Sequence, residues 1–315
     1  MNKFFRYLSF AVIASFLVVF NSCGDDDKPT DPKQPEQPEQ KITMEQARNA
    51  LLEFANISNQ FSTVFNESGK QVGSNLTPTK KLNGTKTTYP DVSCEILQNG
   101  KYLVTCDYGP SPIICSDNYK RRGIVKIETD GFATTTDNLM TVTFDNYYQQ
   151  GDWYAHEYKI GDATTIMTIK TSGANLQNPD RIDYEVKVTN GLVTDAVTNK
   201  SVSYSETTLR TFDHGDGMGL ENMCTWNYYI TGTWIGVSSD NVPYQLNANS
   251  IPLRYRVCCH FFQDGLLDVN VGNGTLVFQI DYSFTNDPTN DCDCDAHVII
   301  PGIPTPQYLS MCNQQ

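Results

Sequence analysis

Cysteines and histidines near the carboxyl end of the sequence are the residues whose types and spacing could do chemistry. These residues are Cys258, Cys259, His260, Cys292, Cys294 and His297. Thiolates and imidazoles are zinc ligands, but the spacing is not a C-x₂-C pair, and adjacent cysteines in a strand point to opposite faces. We therefore favour a disulfide between Cys258 or Cys259 and Cys292 or Cys294, which would stabilise the fold by about 2–4 kcal/mol. The sequence predicts neither a metal nor another cofactor.

Cys94 and Cys106 lie on either side of Asn99-Gly100. An Asn-Gly pair between two apolar runs is typical of a two-residue hairpin turn. Such a turn would place Ser93 opposite Cys106, so that the side chains of Cys94 and Cys106 point to opposite faces. We therefore predict that these two cysteines form no disulfide.

Cys23 follows a segment that has the pattern of a secretory signal. Lys3 and Arg6 precede an apolar run that ends at Phe20, and this run is shorter than the roughly 20 residues of a membrane-spanning helix. Phe20-Asn21-Ser22-Cys23 resembles the lipobox of bacterial lipoproteins, with Phe20 where Leu is commoner. The resemblance implies that residues 1–22 are a signal peptide and that Cys23 is acylated, since two or three acyl chains hold a domain firmly on a bilayer. The alternative is an uncleaved signal-anchor.

The segment after Cys23 predicts a tether. Asp25, Asp26 and Asp27 resemble the acidic export signal of Bacteroidetes surface lipoproteins, and the alternative is a solvated acidic linker. Prolines recur at every third position from Pro29 to Pro38, which favours extended polyproline II. We expect residues 23–40 to be a lipidated, Pro-rich acidic tether that lifts the following domain off the membrane.

Composition limits the compartment and the partners. The formal net charge is −13, and removal of residues 1–22 would take it to about −15. So acidic a surface argues against nucleic acid or anionic lipid as a partner. Of the ten cysteines, nine remain after lipidation of Cys23, which suits disulfides in an oxidising compartment and leaves at least one unpaired.

Residues 41–88 predict an amphipathic helix followed by a loop. Thr43 and Gln46 match a capping box. Apolar residues then recur at helical spacing as far as Phe65, and Ser68-Gly69 follows, so we predict a helix over residues 44–66. Its apolar stripe would pack on the remainder of the domain.

Residues 89–315 predict an antiparallel β domain. Alternating polar and apolar residues over 182–188 and 276–284 indicate strands with one solvent-facing side. Asn99-Gly100, Asn190-Gly191 and Asn273-Gly274 each lie between such runs and predict tight hairpins. The fold class we expect is mainly β, either an antiparallel β-sandwich or a long, twisted meander, with one N-terminal amphipathic helix.

Short motifs over residues 95–312 resemble a family of Bacteroidetes outer-membrane or surface lipoproteins. The motifs are Asp107-Tyr108-Gly109, Cys115 with Arg121-Arg122-Gly123, residues 143–148 (TFDNYY), Asn273-Gly274-Thr275 before Ile280-Asp281-Tyr282, and Cys294-Asp295-Ala296 before Gly302. The chain departs from the pattern at Ser283, where Gly is expected, and by its additional Cys259 and Cys292. The resemblance implies a β-rich domain on the cell exterior and implies no activity.

Two groups of aromatic residues are candidate binding residues. They are Tyr147, Tyr148, Trp153 and Tyr154, and, in the second group, Trp226 and Trp234. Exposed aromatic rings on a sheet stack on sugar rings, whereas buried ones fill the core, and both alternatives stand at this point. Asp213 to Gly219, rich in Asp and Gly, predicts a flexible turn rather than a calcium loop, because its Asp spacing is not that of an EF-hand.

The sequence gives little support to an enzyme. It contains no G-x-S-x-G elbow, no H-E-x-x-H and no phosphate loop. We expect a lipid-anchored, non-catalytic surface protein that binds a glycan or a protein. The alternatives are a structural or assembly component of the envelope and, less favoured, a surface hydrolase.

Overall fold

The computed structural model describes residues 42–75, 90–115, 119–132, 135–150, 156–174, 181–213, 227–256, 262–283 and 295–310. Residues 41–315 form one compact unit. The predicted signal peptide, Cys23, Asp25, Asp26, Asp27 and the tether lie outside the described residues. No helix in the described part of the chain is both long and apolar enough to cross a membrane.

Helix α1 (Met44–Asn75) begins at the predicted capping box. The Thr43 N–H donates to Gln46 Oε1 at 3.0 Å, and the Gln46 N–H donates to Thr43 Oγ1 at 3.2 Å. These two bonds satisfy backbone donors that have no partner within the first turn. The predicted start of the helix is therefore confirmed.

The predicted end of α1 near residue 66 is wrong, because the helix continues for nine more residues. Ser68, Gln71 and Val72 are buried and extend the buried stripe for another turn and a half. Gly69 and Gly73 face open space, since a Cβ added at either position would meet no other atom within 4 Å. Packing of the buried stripe thus outweighs the local preference of Ser68-Gly69 to end a helix.

Fifteen strands in the described residues form a single sheet. They are β1 (Asp91–Ile96), β2 (Tyr102–Asp107), β3 (Ile113–Ile114), β4 (Lys120–Thr129), β5 (Leu139–Gln150), β6 (Tyr158–Ile160), β7 (Ile166–Ala174), β8 (Arg181–Asp195), β9 (Ser201–Asp213), β10 (Asn227–Val237), β11 (Pro243–Arg256), β12 (Phe262–Val271), β13 (Leu276–Asp281), β14 (Asp295–Ile299) and β15 (Gln307–Ser310). The order is β1-β2-β4-β5-β6-β8-β9-β10-β11-β12-β13-β14-β15, with β3 beside β4, and β7 between β5 and β8.

The strand pairs in the described residues are antiparallel, and most sequential strands are neighbours in the sheet. The mainly-β fold with one N-terminal helix is therefore as predicted. Of the two predicted architectures, the long meander is the one found. The Asn273-Gly274 hairpin joins β12 to β13, as predicted, with Val271 opposite Leu276.

The predicted hairpin at Asn190-Gly191 is wrong, because β8 runs straight through these residues. The pairing of β8 with β9 shifts between Val188 and Gly191, which marks a β-bulge. A Cβ at Gly191 would lie 2.5 Å from the Tyr204 carbonyl oxygen, so this close approach requires glycine. Before the bulge β8 pairs with β7, and after it β8 pairs with β6.

The Asn99-Gly100 hairpin forms, but with a register one residue away from the prediction. The Leu97 N–H bonds the Lys101 carbonyl at 2.8 Å, and Gly100 has a φ of +82°, so the loop has three residues rather than two. Cys106 is therefore opposite Val92, and Cys94 shares its face of the sheet. Cys94 and Cys106 are diagonal neighbours and are free thiols. The predicted reason for this, that their side chains point to opposite faces of the sheet, was wrong.

Helix α1 covers one face of the sheet, which we call the inward face. The Phe54 ring packs edge-on against Trp234 of β10 at 5.8 Å and Tyr244 of β11 at 5.9 Å. Phe61 contacts both Phe144 of β5 and Tyr204 of β9, at 6.2 and 5.2 Å between ring centroids. One side chain can contact two strands this far apart because the sheet curves around the helix. The core is the interface between α1 and this inward face.

Candidate functional site

The structure separates the aromatic residues that the sequence grouped together. Tyr147 and Trp234 are each 1 % exposed. Both rings therefore fill the core, and their assignment to a surface binding site was wrong. Tyr148 lies half-buried on the opposite, outward face. The remaining candidates lie outside the described residues: Trp153, Tyr154 and Trp226.

Hydrogen bonds account for the burial of Tyr147. Arg121 Nε donates to the Tyr147 hydroxyl at 3.1 Å, and this hydroxyl donates to Gln149 Oε1 at 2.9 Å. Gln149 Nε2 in turn donates to the Gln60 backbone carbonyl of α1 at 3.0 Å. Burial raises the pKa of Tyr147, and the ring therefore stays neutral. Tyr147 is part of a helix–sheet connection and is not available to a ligand.

Tyr148 has a different environment, formed by two charged side chains. The Arg122 guanidinium lies over its ring, 3.5 Å from the ring centroid. The same guanidinium donates two hydrogen bonds to the Glu157 carboxylate, each of 2.8 Å. This bidentate pairing holds both charged groups in one plane and raises the pKa of Arg122, which keeps it charged.

His156 and Asp195 form a separate polar pair. His156 Nδ1 is 2.7 Å from Asp195 Oδ2. Asp195 Oδ1 accepts the N–H groups of Val197 and Thr198 at 2.7 and 2.9 Å. Burial raises the pKa of Asp195, but these backbone bonds and the His156 ring together outweigh it, so this pKa lies below its usual value.

We call Arg122, Tyr148 and Glu157 the Tyr148 cluster. The His156–Asp195 pair lies towards the other face of the sheet, because Asp195 is opposite Tyr158, which packs on the core. The Ala196 N–H bonds the Glu157 carbonyl at 2.9 Å and so ties the turn after β8 to the segment before β6. An aromatic ring beside a fixed carboxylate and a fixed guanidinium can stack on a sugar ring and bond its hydroxyls.

A buried polar network lies beneath α1, on β9. Glu206 and Arg210 form an ion pair of 2.7 Å with side chains that are 0 % and 2 % exposed. Tyr204 donates to the Glu206 carboxylate at 2.7 Å, Thr208 donates to it as well, and Arg210 Nη1 donates to Ser62 Oγ of α1 at 3.2 Å. Every charge in this network has a partner, and α1 closes it from solvent, so it connects helix to sheet.

A small crevice lies between the second half of α1 and strands β2 to β5. It is lined by Glu67, Ser68, Gln71, Cys106, Tyr108 and neighbouring apolar residues, and it holds no more than about one water molecule. Burial and the nearby charge of Glu67 raise the pKa of Cys106 to about 12. This thiol is therefore protonated at neutral pH and is a poor nucleophile.

The outward face over β9, β10 and β11 is uncharged at its centre. The central side chains are Ser205, Thr207, Thr233, Ile235, Gln245 and Asn247, which pair across the three strands. Ile235 is 54 % exposed, and Val277, two strands beyond β11, is 55 % exposed. We call the six central residues the uncharged face.

The predicted cysteine sites fall on segments outside the described residues. Cys258, Cys259, Cys292 and Cys294 lie there, as does His260, so their predicted disulfide stays a prediction. Asp213 belongs to β9 and bonds Arg181, while the rest of the predicted turn up to Gly219 is not described. Within the described ranges, no three His, Cys, Asp or Glu side chains are placed to share a metal ion.

Comparison of the chain with known protein families, with curated proteins and with solved structures gives no match.

The Tyr148 cluster was only partly predictable. The sequence predicted Tyr148 as a binding residue but did not predict Arg122. Arg122 is opposite Tyr148 because the pairing of β4 with β5 shifts by one residue at a bulge between Arg122 and Ile124. A bulge changes which residues are opposite each other, and its position is not visible in the residue pattern.

Proposed function

We propose that the chain is a lipid-anchored, non-catalytic binding protein of the outer membrane, facing the cell exterior, and that it binds a glycan at the Tyr148 cluster. The observation that carries the proposal is the arrangement of Arg122 and Glu157 around the Tyr148 ring. Because the two charged groups hold each other in place, a ligand would meet a site that is already ordered. Preordered polar groups cost little entropy on binding.

The chemistry of the site favours a glycan over a protein segment. Sugar rings offer an apolar face for stacking and hydroxyls that both donate and accept, and the cluster offers an aromatic ring, a carboxylate and a guanidinium. The polar side chains are partly accessible: Arg122 is 27 % and Glu157 21 % exposed.

A glycan array probed with residues 41–315 tests this proposal. Wild-type protein is expected to bind a subset of glycans, and Tyr148→Ala is expected to lower affinity by about tenfold or more. Tyr229→Ala is the matched control, because Tyr229 is also half-buried and lies near a guanidinium, that of Arg181 at 5.4 Å. A blank array, or equal binding by wild type and Tyr148→Ala, would rule the site out. A pull-down that yields a protein in a Tyr148-dependent way would replace the glycan with a protein ligand.

The His156–Asp195 pair also allows a direct test of the hydrolase alternative. An imidazole oriented by a carboxylate can act as a general base. Each glycan that binds is therefore incubated with the protein and examined for cleavage by mass spectrometry. We expect the glycans to be recovered intact, and cleavage that is lost in His156→Ala would establish the hydrolase.

The anchor is tested separately on Cys23. Intact-mass analysis of the protein extracted from membranes is expected to show a chain that starts at Cys23 and carries two or three acyl groups. Cys23→Ser is expected to leave the signal segment uncleaved and unacylated. An unmodified amino terminus in the wild type would remove the membrane partner from the proposal.

A second candidate function, assembly with another protein in the envelope, is favoured by a different observation. The exposed aliphatic residues Ile235, Val277, Leu209 and Ile251 all lie on the outward face of β9 to β13. Exposed apolar side chains on one sheet face are typical of protein contacts.

A further inference from the structure

A row of polar side chains crosses the outward face on both sides of Tyr148. Directly paired residues follow in the order Arg122 of β4, Tyr148 of β5, Lys159 of β6, Thr194 of β8 and Ser201 of β9. The hydroxyls of Thr194 and Ser201 are hydrogen-bonded to each other at 2.8 Å. The Tyr148 ring is therefore flanked by a cation on each side, and two hydroxyls lie beyond the second cation.

Lys159 is the member of this row whose charge is available to a ligand. Its chain neighbours Tyr158 and Ile160 pack in the core, so the Lys159 side chain points outward. Within the part of the chain that the structure describes, Lys159 forms no ion pair, whereas Arg122 is held by Glu157. Two cations and one carboxylate leave the row with a net positive charge, in a chain whose formal net charge is −13.

We propose that the glycan bound at the Tyr148 cluster is anionic and that its carboxylate or sulfate group pairs with Lys159. The proposal rests on the glycan function proposed above and narrows it to one class of ligand. A sugar ring stacked on Tyr148 would have Lys159 beside it, at the strand spacing of about 4.8 Å. An ammonium group is a compact charge with three donors on a flexible stem, so it can pair with either kind of anion.

Two carboxylates restrict where the anionic group can lie. Asp145 is exposed and follows the row on one side, where it is opposite Ile124 across the bulge. Glu157 lies on the other side of the row, two residues before Lys159. An anion displaced along the strands in either direction would approach a carboxylate and be repelled, whereas an anion within the row meets Lys159.

The remainder of the row extends the site beyond one sugar. From Tyr148 to Ser201 the row crosses three strand spacings, which is about 14 Å. A sugar that follows the acidic one would therefore meet the hydroxyls of Thr194 and Ser201, which can both donate and accept. We expect the ligand to be an anionic oligosaccharide that lies across the strands.

An array of matched glycan pairs, probed with the full-length chain, tests the charge of the ligand. Each uronic acid glycan is spotted beside its carboxyl-reduced form, and each sulfated glycan beside its desulfated form, so that the two sources of negative charge are distinguished. We expect the acidic member of a pair to bind about fivefold more tightly, with an excess that falls as salt is added. Equal binding of both members would overturn this proposal and leave the glycan function standing, whereas a blank array would overturn both.

Two lysine variants test the assigned position of the anion. Lys159→Gln is expected to lower affinity for the acidic member about fivefold and to leave the neutral member unchanged, whereas Tyr148→Ala should weaken both. Lys126→Gln is the matched control, because Lys126 is half-buried on β4 and forms no ion pair with a described residue, but lies outside the row. Unchanged binding of acidic glycans by Lys159→Gln would overturn the proposal.

A single-stranded DNA oligonucleotide tests whether the row binds any polyanion. We expect the wild-type chain to bind it more weakly than the acidic glycans, because the Tyr148 cluster is arranged for a sugar ring and the chain as a whole is acidic. Binding of the oligonucleotide as tight as that of the glycans, and lost in Lys159→Gln, would overturn the assignment to a glycan.

Discussion

The two faces of β9 show how differently the same residue types behave on one strand. Inward, the strand presents Tyr204, Glu206, Thr208 and Arg210, and all four are buried. Outward, it presents serine, threonine and Leu209, which is 46 % exposed. The charged side chains are thus inside and the leucine is outside, the reverse of what hydropathy alone predicts.

Hydrogen-bond partners explain this reversal. The Glu206 carboxylate receives bonds from Tyr204, Thr208 and Arg210, so its burial leaves no unpaired charge. Leu209 has no such requirement and lies where a surface contact could cover it. The comparison teaches that on β9 the inward face is defined by which polar groups satisfy one another, whereas the centre of its outward face carries uncharged side chains.

The largest effect is expected from Glu206→Ala. It leaves the Arg210 guanidinium buried without its counter-ion, and we expect a loss of about 3–5 kcal/mol in the free energy of unfolding. Urea denaturation of residues 41–315 measures it. Replacement of both partners, Glu206→Met with Arg210→Met, is expected to cost less than Glu206→Ala alone. A cost below about 1 kcal/mol for Glu206→Ala would contradict the assigned role of the network.

Tyr147 and Tyr148 allow the two faces to be compared at adjacent positions. Tyr147→Phe removes the hydroxyl that links Arg121 to Gln149 and is expected to cost about 1–3 kcal/mol. Tyr148→Phe keeps the ring under Arg122 and is expected to change stability by no more than about 0.5 kcal/mol. Equal costs in urea denaturation would remove the distinction between a core tyrosine and a surface tyrosine.

Asp195→Asn is expected to have a smaller, pH-dependent effect of about 1 kcal/mol at pH 7. The folded-state pKa of Asp195 is lowered, so its stabilising contribution is fully present above the unfolded-state pKa of about 3.9. That contribution is lost as the pH falls through the folded-state pKa. The unfolding free energies of the wild type and of Asp195→Asn should therefore differ at pH 7 and become equal as the pH is lowered. A difference that stays constant with pH would show that Asp195 is not stabilised as an ionised, hydrogen-bonded carboxylate.

The smallest effect is expected from Leu209→Ala. Although leucine-to-alanine changes in a core cost about 2–5 kcal/mol, this outward side chain should contribute less than about 0.5 kcal/mol. Leu253→Ala on β11, whose side chain is fully buried, is the matched control and should show the core value. A large cost for Leu209→Ala in thermal unfolding would mean that the outward face is covered within one copy.

The broad fold was predictable because it depends on local patterns. Alternation over residues 182–188 indicated β8, and the Thr43 capping box indicated the start of α1. The end of α1 was not predictable, because burial of Val72 against the sheet decides it. Asn190-Gly191 was also ambiguous, since the same pair serves a hairpin turn or a bulge, and only the pairing of β8 with β9 distinguishes them.

The candidate site was predictable only at Tyr148. Whether an aromatic residue in β5 faces the helix or the solvent depends on the bulge opposite Gly123, which shifts the alternation by one residue. Glu157 meets Arg122, 35 residues earlier in the chain, only because the segment before β6 lies beside β5. Such contacts depend on strand order, which residue spacing does not contain.

The placement of α1 at the start of the chain has a consequence for how the protein is made. Glu53 bonds Ser239, 186 residues later, and Asn59 bonds Tyr255, 196 residues later. The helix leaves the ribosome long before these partners exist, and contacts so distant in sequence form slowly. A growing chain that has not reached β11 would hold the Phe54 side of its helix without a sheet to cover it, and that uncovered stripe is the surface a chaperone would bind.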